Sequence, residues 1–245
     1  MSAEEATEAI AAGGPGSVED GLRRAWERIG RACQAAGRTP DDVRMLLAAK
    51  QQPVAAIRAA IAAGGRLIGE NRVQELVTKG PELADLRHEA HVIGPLQSNK
   101  INAALRWADC VETVDSLVLA QRLAARVGGR AGGLGVMIQV NTSAEASKSG
   151  VSPARAAELA HQVAALGALR LDGFMTVGLN SDDAAAVGRS YAALRAIRDQ
   201  VAASGAPGTA TAVELSMGMS GDLEIAIAEG ATIVRLGTAV FGPRS

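Results

Sequence analysis

The chain has 245 residues, 48% of them apolar and 21% charged, enough to bury a sizeable core and too apolar to stay disordered. Lys and Arg total 25 against 26 Asp and Glu, so the net charge is −1 and no excess positive field exists to hold a phosphate backbone; nucleic acid is not an expected partner. Aromatic side chains are 2% of the chain, which excludes stacking platforms for bases and leaves Ala, Val, Leu and Ile to form the core.

Residues 1–16, acidic at Glu4-Glu5 and ending Gly13-Gly14-Pro15-Gly16, read as a mobile tail and not as a secretory signal, and residues 17–245 as one domain. Ser17, three residues before Asp20, is a natural helix N-cap. Leu22, Trp26, Ile29 and Cys33 then recur at helical spacing, which predicts a helix over 18–36 ended by Gly37. The apolar run 44–50 predicts a buried strand, 54–63 a helix stopped by Gly64-Gly65, and 67–69 a strand. Further strands are expected over 91–94, 110–114, 135–140, 169–177, 212–215 and 232–236, each followed by a helical segment. Such alternation without a linker points to a parallel sheet with helical crossovers. A single closed (β/α)8 TIM barrel with an extra N-terminal helix and no second domain is the economical reading, and an open doubly wound sheet the alternative. No stretch approaches 18 uncharged apolar residues, so no membrane span is expected. Cys33 and Cys110 form no CxxC and no disulfide framework, which suits a reducing, cytoplasmic setting.

In such a barrel the chemistry lies at the C-terminal ends of the strands. The first strand ends at Lys50, behind the apolar run Met45 to Ala49, where desolvation favours the neutral amine that condenses with a carbonyl. The last two strands lead into Ser216-Met217-Gly218-Met219-Ser220-Gly221 and Gly237-Thr238, small residues with free backbone N–H groups that suit a phosphate. Arg235 shares a strand face with Gly237, and if it points inward it needs an acceptor. A lysine, a phosphate cradle and an arginine at one mouth suit a carbonyl phosphate: pyridoxal 5′-phosphate, or a sugar phosphate in a lysine aldolase.

Several blocks are specific enough to carry a resemblance. They are Ala49-Lys50 with Pro53, the run from Ile68-Gly69-Glu70-Asn71 to Glu75, the run from His91 through Gly94-Pro95-Leu96-Gln97 to Lys100, and Ser147-Lys148-Ser149-Gly150-Val151. Phe174-Met175-Thr176-Val177-Gly178, Leu215-Ser216-Met217-Gly218-Met219-Ser220 and the run from Arg235-Leu236-Gly237-Thr238 to Arg244 complete the set. In this order the chain resembles the pyridoxal phosphate homeostasis proteins, the YggS/PROSC-type family. The resemblance implies an alanine racemase-like barrel without the racemase's second domain, with the cofactor joined to Lys50 as a Schiff base. It further implies that Ser216, Gly237 and Thr238 hold the phosphate, that Arg235 approaches the pyridine nitrogen, and that Asn71 lies beside the ring. The implied role is to bind, buffer and deliver the cofactor to recipient apo-enzymes without catalysis. A monomer is expected, a dimer being the other possibility. Two departures stand out: Ala48-Ala49-Lys50-Gln51-Gln52 lacks the hydroxyl residue often found before the lysine and the second lysine often found after it.

The competing reading is a pyridoxal phosphate-dependent racemase or decarboxylase. Racemisation needs an acid or base on each face of the substrate, and Lys50 serves only one. Tyr191 falls on an expected outer helix, Cys110 begins the fourth strand at the wrong end, and Cys33 lies in the first helix, so no second group is evident and no catalytic residue is expected. His88 and His91 lack the spacing of a zinc helix, and no metal site is expected. His91 at the pocket edge and Lys148 after the fifth strand remain candidates for handling the cofactor, and His161 reads as a helix-surface residue.

Overall fold

A computed structural model describes residues 16–242 apart from Ala131, Ala144, Ala146 and Ser147. The expected tail, except Gly16, lies outside the described residues, as do Ser147 and the terminal Pro243-Arg244 of the quoted blocks. Helix α1 (Val18–Ala35) starts as the sequence indicates, with the Ser17 side chain accepting from the Asp20 N–H at 3.2 Å, and the chain leaves it through Gly37 at φ 66°. Its buried stripe is Leu22, Ala25, Ile29 and Cys33. Trp26, expected on that stripe, is 38% exposed, because Ala25 takes the inward position and the indole falls to its flank.

Eight parallel strands follow: β1 (Arg44–Ala48), β2 (Leu67–Glu70), β3 (Glu89–Val92), β4 (Cys110–Val114), β5 (Leu134–Gln139), β6 (Leu169–Met175), β7 (Glu214–Ser216) and β8 (Ile233–Leu236). They pair in sequence order and close between β1 and β8, where Leu46 stands beside Arg235. Closure rules out the open sheet, which periodicity alone could not do. The connecting helices are α2 (Val54–Ala62), α3 (Val73–Leu83), α4 (Ile101–Ala104), α5 (Leu117–Ala124), α6 (Pro153–Ala164), α7 (Ala184–Ala203), α8 (Leu223–Ala228) and α9 (Thr238–Phe241). The strands read as continuous apolar runs because both faces are covered, one by helices and the other by the barrel interior. Leu46, Leu67, Cys110, Met137, Met175 and Ile233 fill that interior, while the larger cluster packs between strands and helices.

Several strand ends shift from the sequence reading, β3 to Glu89–Val92 and the end of β6 to Met175 among them, and two further shifts have consequences for the site. β1 stops at Ala48, leaving Lys50 two residues beyond it, in a turn. β7 runs Glu214–Ser216 and not 212–215, so Ser216 belongs to the strand and not to the loop after it. Among the described residues no helix is long and apolar enough to cross a membrane.

Candidate functional site

The C-terminal mouth of the barrel holds a cavity of about 390 Å³. Lys50, Asn71, Arg235, Gly237 and Thr238 all line it, so five of the six residues singled out in the sequence come together. The remaining walls are mainly apolar, including Ala48, Ile93, Met175 and Val177, with Ser220 and Gly221 contributed by the loop after β7.

Lys50 is half-buried at this wall. No hydrogen bond or ion pair engages its amine among the described residues, whereas the Lys79 and Lys148 ammonium groups are both paired. Lys148 donates to the Gly178 carbonyl at 2.9 Å and meets Glu145 at 2.7 Å. It fastens the loop after β5 and does not line the cavity.

The loops after β7 and β8 form the opposite chemistry. Gly218 adopts φ 91°, and a Cβ there would sit 2.4 Å from the Ala226 side chain, so only glycine makes this turn. Beyond it, Asp222 accepts from the Met219 N–H at 2.6 Å and from the Tyr191 hydroxyl at 2.6 Å, which fixes the loop. Burial, reinforced by Asp222, pushes the Tyr191 phenol well above its usual range, so it stays a neutral donor. The backbone N–H groups of Ser220, Gly221, Gly237 and Thr238 find no acceptor among the described residues. Four unsatisfied donors on the residues of one cavity create a place for an anion.

Ser216 departs from the expectation. Its side chain is 0% exposed and does not line the cavity. Because it is a strand residue, its hydroxyl turns into the barrel, where it donates to Glu112 Oε2 at 2.6 Å and accepts from Arg235 Nη1 at 3.0 Å. Arg235, 7% exposed, also donates to the Thr176 carbonyl at 2.7 Å and still lines the cavity, with further N–H donors to spare. The hydroxyl that does line the cavity from this loop is that of Ser220, four residues on.

Glu112 was not singled out in the sequence, yet it organises the barrel axis. It is 0% exposed, with Oε1 accepting from His91 Nδ1 at 2.6 Å and Oε2 from Ser216. Burial alone would raise its pKa, but His91, Arg235 and Ser216 hold it below the usual carboxylate value. For His91 burial opposes the charge, and Glu112 and Glu89 outweigh it, raising the imidazole to about 9. An uninterrupted chain, His91 to Glu112 to Ser216 to Arg235, therefore runs up the interior.

Its lower end opens on a second cavity of about 460 Å³ at the N-terminal face, lined by His91, Cys110 and several charged residues. The expectation that His91 edges the upper pocket is thereby corrected: on β3, level with Cys110, it lines the lower cavity and not the mouth. Cys110 lies at this lower end too, its thiol driven far up by burial. His88 bonds the Leu86 carbonyl and His161 meets Ser204, each away from the mouth. No group of three potential metal ligands occurs among the described residues.

Residues 27–245 match the family model described as alanine racemase, N-terminal domain. A pyridoxal phosphate homeostasis protein of Pseudomonas aeruginosa is 44% identical over 228 residues, covering 93% of this chain and 96% of that protein. A crystal structure of a protein from Bifidobacterium adolescentis superposes with a TM-score of 0.87 at 43% identity, over 91% of this chain and 94% of that one. PipY of Synechococcus elongatus PCC7942, solved with PLP bound, gives a TM-score of 0.75 at 35% identity, over 87% of this chain and 100% of its own. On fold, length and identity together, this chain belongs to the pyridoxal phosphate homeostasis protein family, whose barrel is that of the alanine racemase N-terminal domain.

Proposed function

We propose that the protein binds pyridoxal 5′-phosphate at the barrel mouth through Lys50 and serves as a non-catalytic store and donor of it. The observation that carries this reading is the pairing, in one cavity, of a lysine amine and four backbone N–H groups that all lack partners among the described residues. The donor set fits the cofactor: an amine for its aldehyde, N–H groups from Ser220, Gly221, Gly237 and Thr238 for its phosphate, and the Arg235 guanidinium for its ring nitrogen. When bound, the cofactor supplies an aldehyde that condenses reversibly with an amine and releases water. Arg235, always charged, donates without giving up its proton, and so does not keep the ring nitrogen protonated as a carboxylate would. Asn71 lines the same wall and limits the ring's freedom.

The same wall offers little to turnover. Among the described residues the titratable side chains lining the cavity are Lys50 and Arg235 alone, and Arg235 neither gives nor takes a proton at working pH. Tyr191 is spent on Asp222 and Cys110 lies at the far end, so an acid or base for a second face is missing. Two free, buried cysteines accord with a reducing compartment such as the cytoplasm. Recipient apo-enzymes would take the cofactor by the reverse of the condensation.

Borohydride reduction of the loaded protein followed by peptide mapping is expected to label Lys50, and Lys50→Ala is expected to keep its fold and lose all covalent cofactor. Labelling of another lysine, or Lys50-dependent amino-acid turnover well above that of free cofactor, would overturn the reading.

A further inference from the structure

The backbone on both sides of Lys50 is tied to helix α3 by a buried ion cluster. Lys79, 8% exposed, donates from Nζ to the Ala49 carbonyl at 2.9 Å, to Glu70 Oε1 at 2.7 Å and to Glu75 Oε2 at 2.9 Å. Glu75 Oε2 also accepts from the Gln51 N–H at 2.6 Å. Residues 49 and 51 are thus both fastened, one by Lys79 directly and the other through Glu75, while the amine between them has no partner among the described residues.

Three acceptors use all three protons of an ammonium, so the Lys79 nitrogen has no lone pair to offer an aldehyde. It is a tether and not a second attachment point. The cluster is also poorly explained as a device for stability. Burial of charge costs more than it returns unless every lone pair is satisfied, and Glu70 Oε2 is buried without a hydrogen-bond partner. The turn it secures is itself unfavourable: Gln51, not a glycine, sits at φ 60°. A left-handed residue beside Lys50 persists only because its surroundings hold it there: the Gln52 N–H closes the turn onto the Ala49 carbonyl at 3.1 Å, and Glu75 is the side chain that fastens the Gln51 N–H itself.

We infer that Lys79, with Glu70 and Glu75, is a positioning element that fixes the Ala49–Gln51 backbone so that the Lys50 amine stays at the wall of the cavity. This rests on the reading of Lys50 as the attachment point. Without the cluster the turn relaxes, and the amine spends less time beside an aldehyde held by the anion loops.

The test uses the full chain, as Lys79→Met and, as a second variant that leaves the Glu70–Lys79 pair in place, Glu75→Gln. Two ligands separate positioning from general damage: pyridoxal 5′-phosphate, which condenses with Lys50, and pyridoxamine 5′-phosphate, which carries the same ring and phosphate but no aldehyde. For Lys79→Met the expected result is a loss of at least tenfold in pyridoxal 5′-phosphate affinity and slower borohydride-trapped labelling of Lys50, with pyridoxamine 5′-phosphate affinity within twofold of wild type. Glu75→Gln should show the same pattern more weakly, and it carries the test should Lys79→Met fail to fold. Unchanged affinity and labelling, or a parallel loss for both ligands, overturns the inference while Lys50 remains the site. Wild-type protein labelled elsewhere overturns the underlying reading and this proposal with it.

Discussion

The two ends of the barrel hold cavities of similar size, about 390 Å³ at the C-terminal mouth and about 460 Å³ at the N-terminal face, and they treat charge in opposite ways. At the lower end the charges are closed on one another: Arg44 with Glu89 at 2.5 Å, Arg170 with Asp172 at 2.6 Å, Arg130 with Asp109 at 2.8 Å, and His91 with Glu112 at 2.6 Å. At the mouth a lysine has no counter-ion and four backbone donors have no acceptor among the described residues. Cavity volume and the number of charged residues would favour the lower site. The unsatisfied groups single out the upper one, because four backbone donors without a protein acceptor converge there, beside a lysine, on one cavity that an anion can enter.

The sharpest way to break this contrast is to unbalance the closed end. Glu112→Gln keeps the shape but leaves His91 without its carboxylate and takes the negative charge from the Ser216 hydroxyl that links it to Arg235, and removing one member of a buried pair costs about 3–5 kcal/mol. Urea unfolding should register a loss of that order, and a change under about 0.5 kcal/mol would show the axis chain to be dispensable. At the open end, pyridoxal lacking its phosphate leaves the four N–H groups unmet. Charged hydrogen bonds contribute about 1.5–3 kcal/mol each, so an affinity at least roughly 100-fold below that of the phosphorylated form is expected by isothermal titration. Equal affinities would show that these N–H groups hold no phosphate.

The most gradual effect is on pH. His91 rises from 6.5 to about 9 in the folded protein, so its contribution to stability is complete below pH 6.5 and is lost as pH climbs through about 9. Glu70, which burial raises from 4.5 to about 7 against the pull of Lys79, shifts stability the same way between those two values. Thermal unfolding should therefore weaken from pH 6.5 to 9, and His91→Gln should flatten that part of the profile. An unchanged slope in the variant would assign the dependence to other groups.

Much of the barrel was legible because buried parallel strands and their covering helices leave different periods in the sequence; strand 110–114 was read to the residue. The misplacement of Ser216 has a local cause. Ser216 and Ser220 are two small hydroxyl residues around one glycine turn, and only the end of β7 decides which belongs to the strand. Glu112 was missed although a signal existed: a carboxylate two residues from Cys110, in the middle of an apolar strand, must face the barrel interior and must be paired. Lys79 carried a weaker signal, its i,i+4 spacing from Glu75, which ordinarily marks a solvated helix face.

Because β1 pairs with β8, the two halves of the mouth come from opposite ends of the chain: Lys50 and Gly237 are separated by 187 positions (237 − 50). Gly21 of α1 draws the ends together still more closely, since a Cβ there would lie 2.3 Å from the Val240 carbonyl oxygen, beside the loop that opens with Gly237. At synthesis rates of about 5–20 residues per second, the lysine leaves the ribosome roughly 10–40 s before the loop that completes its pocket. A growing chain thus exposes the amine long before it can retain a phosphate, so retention itself reports that the last strand has docked onto the first.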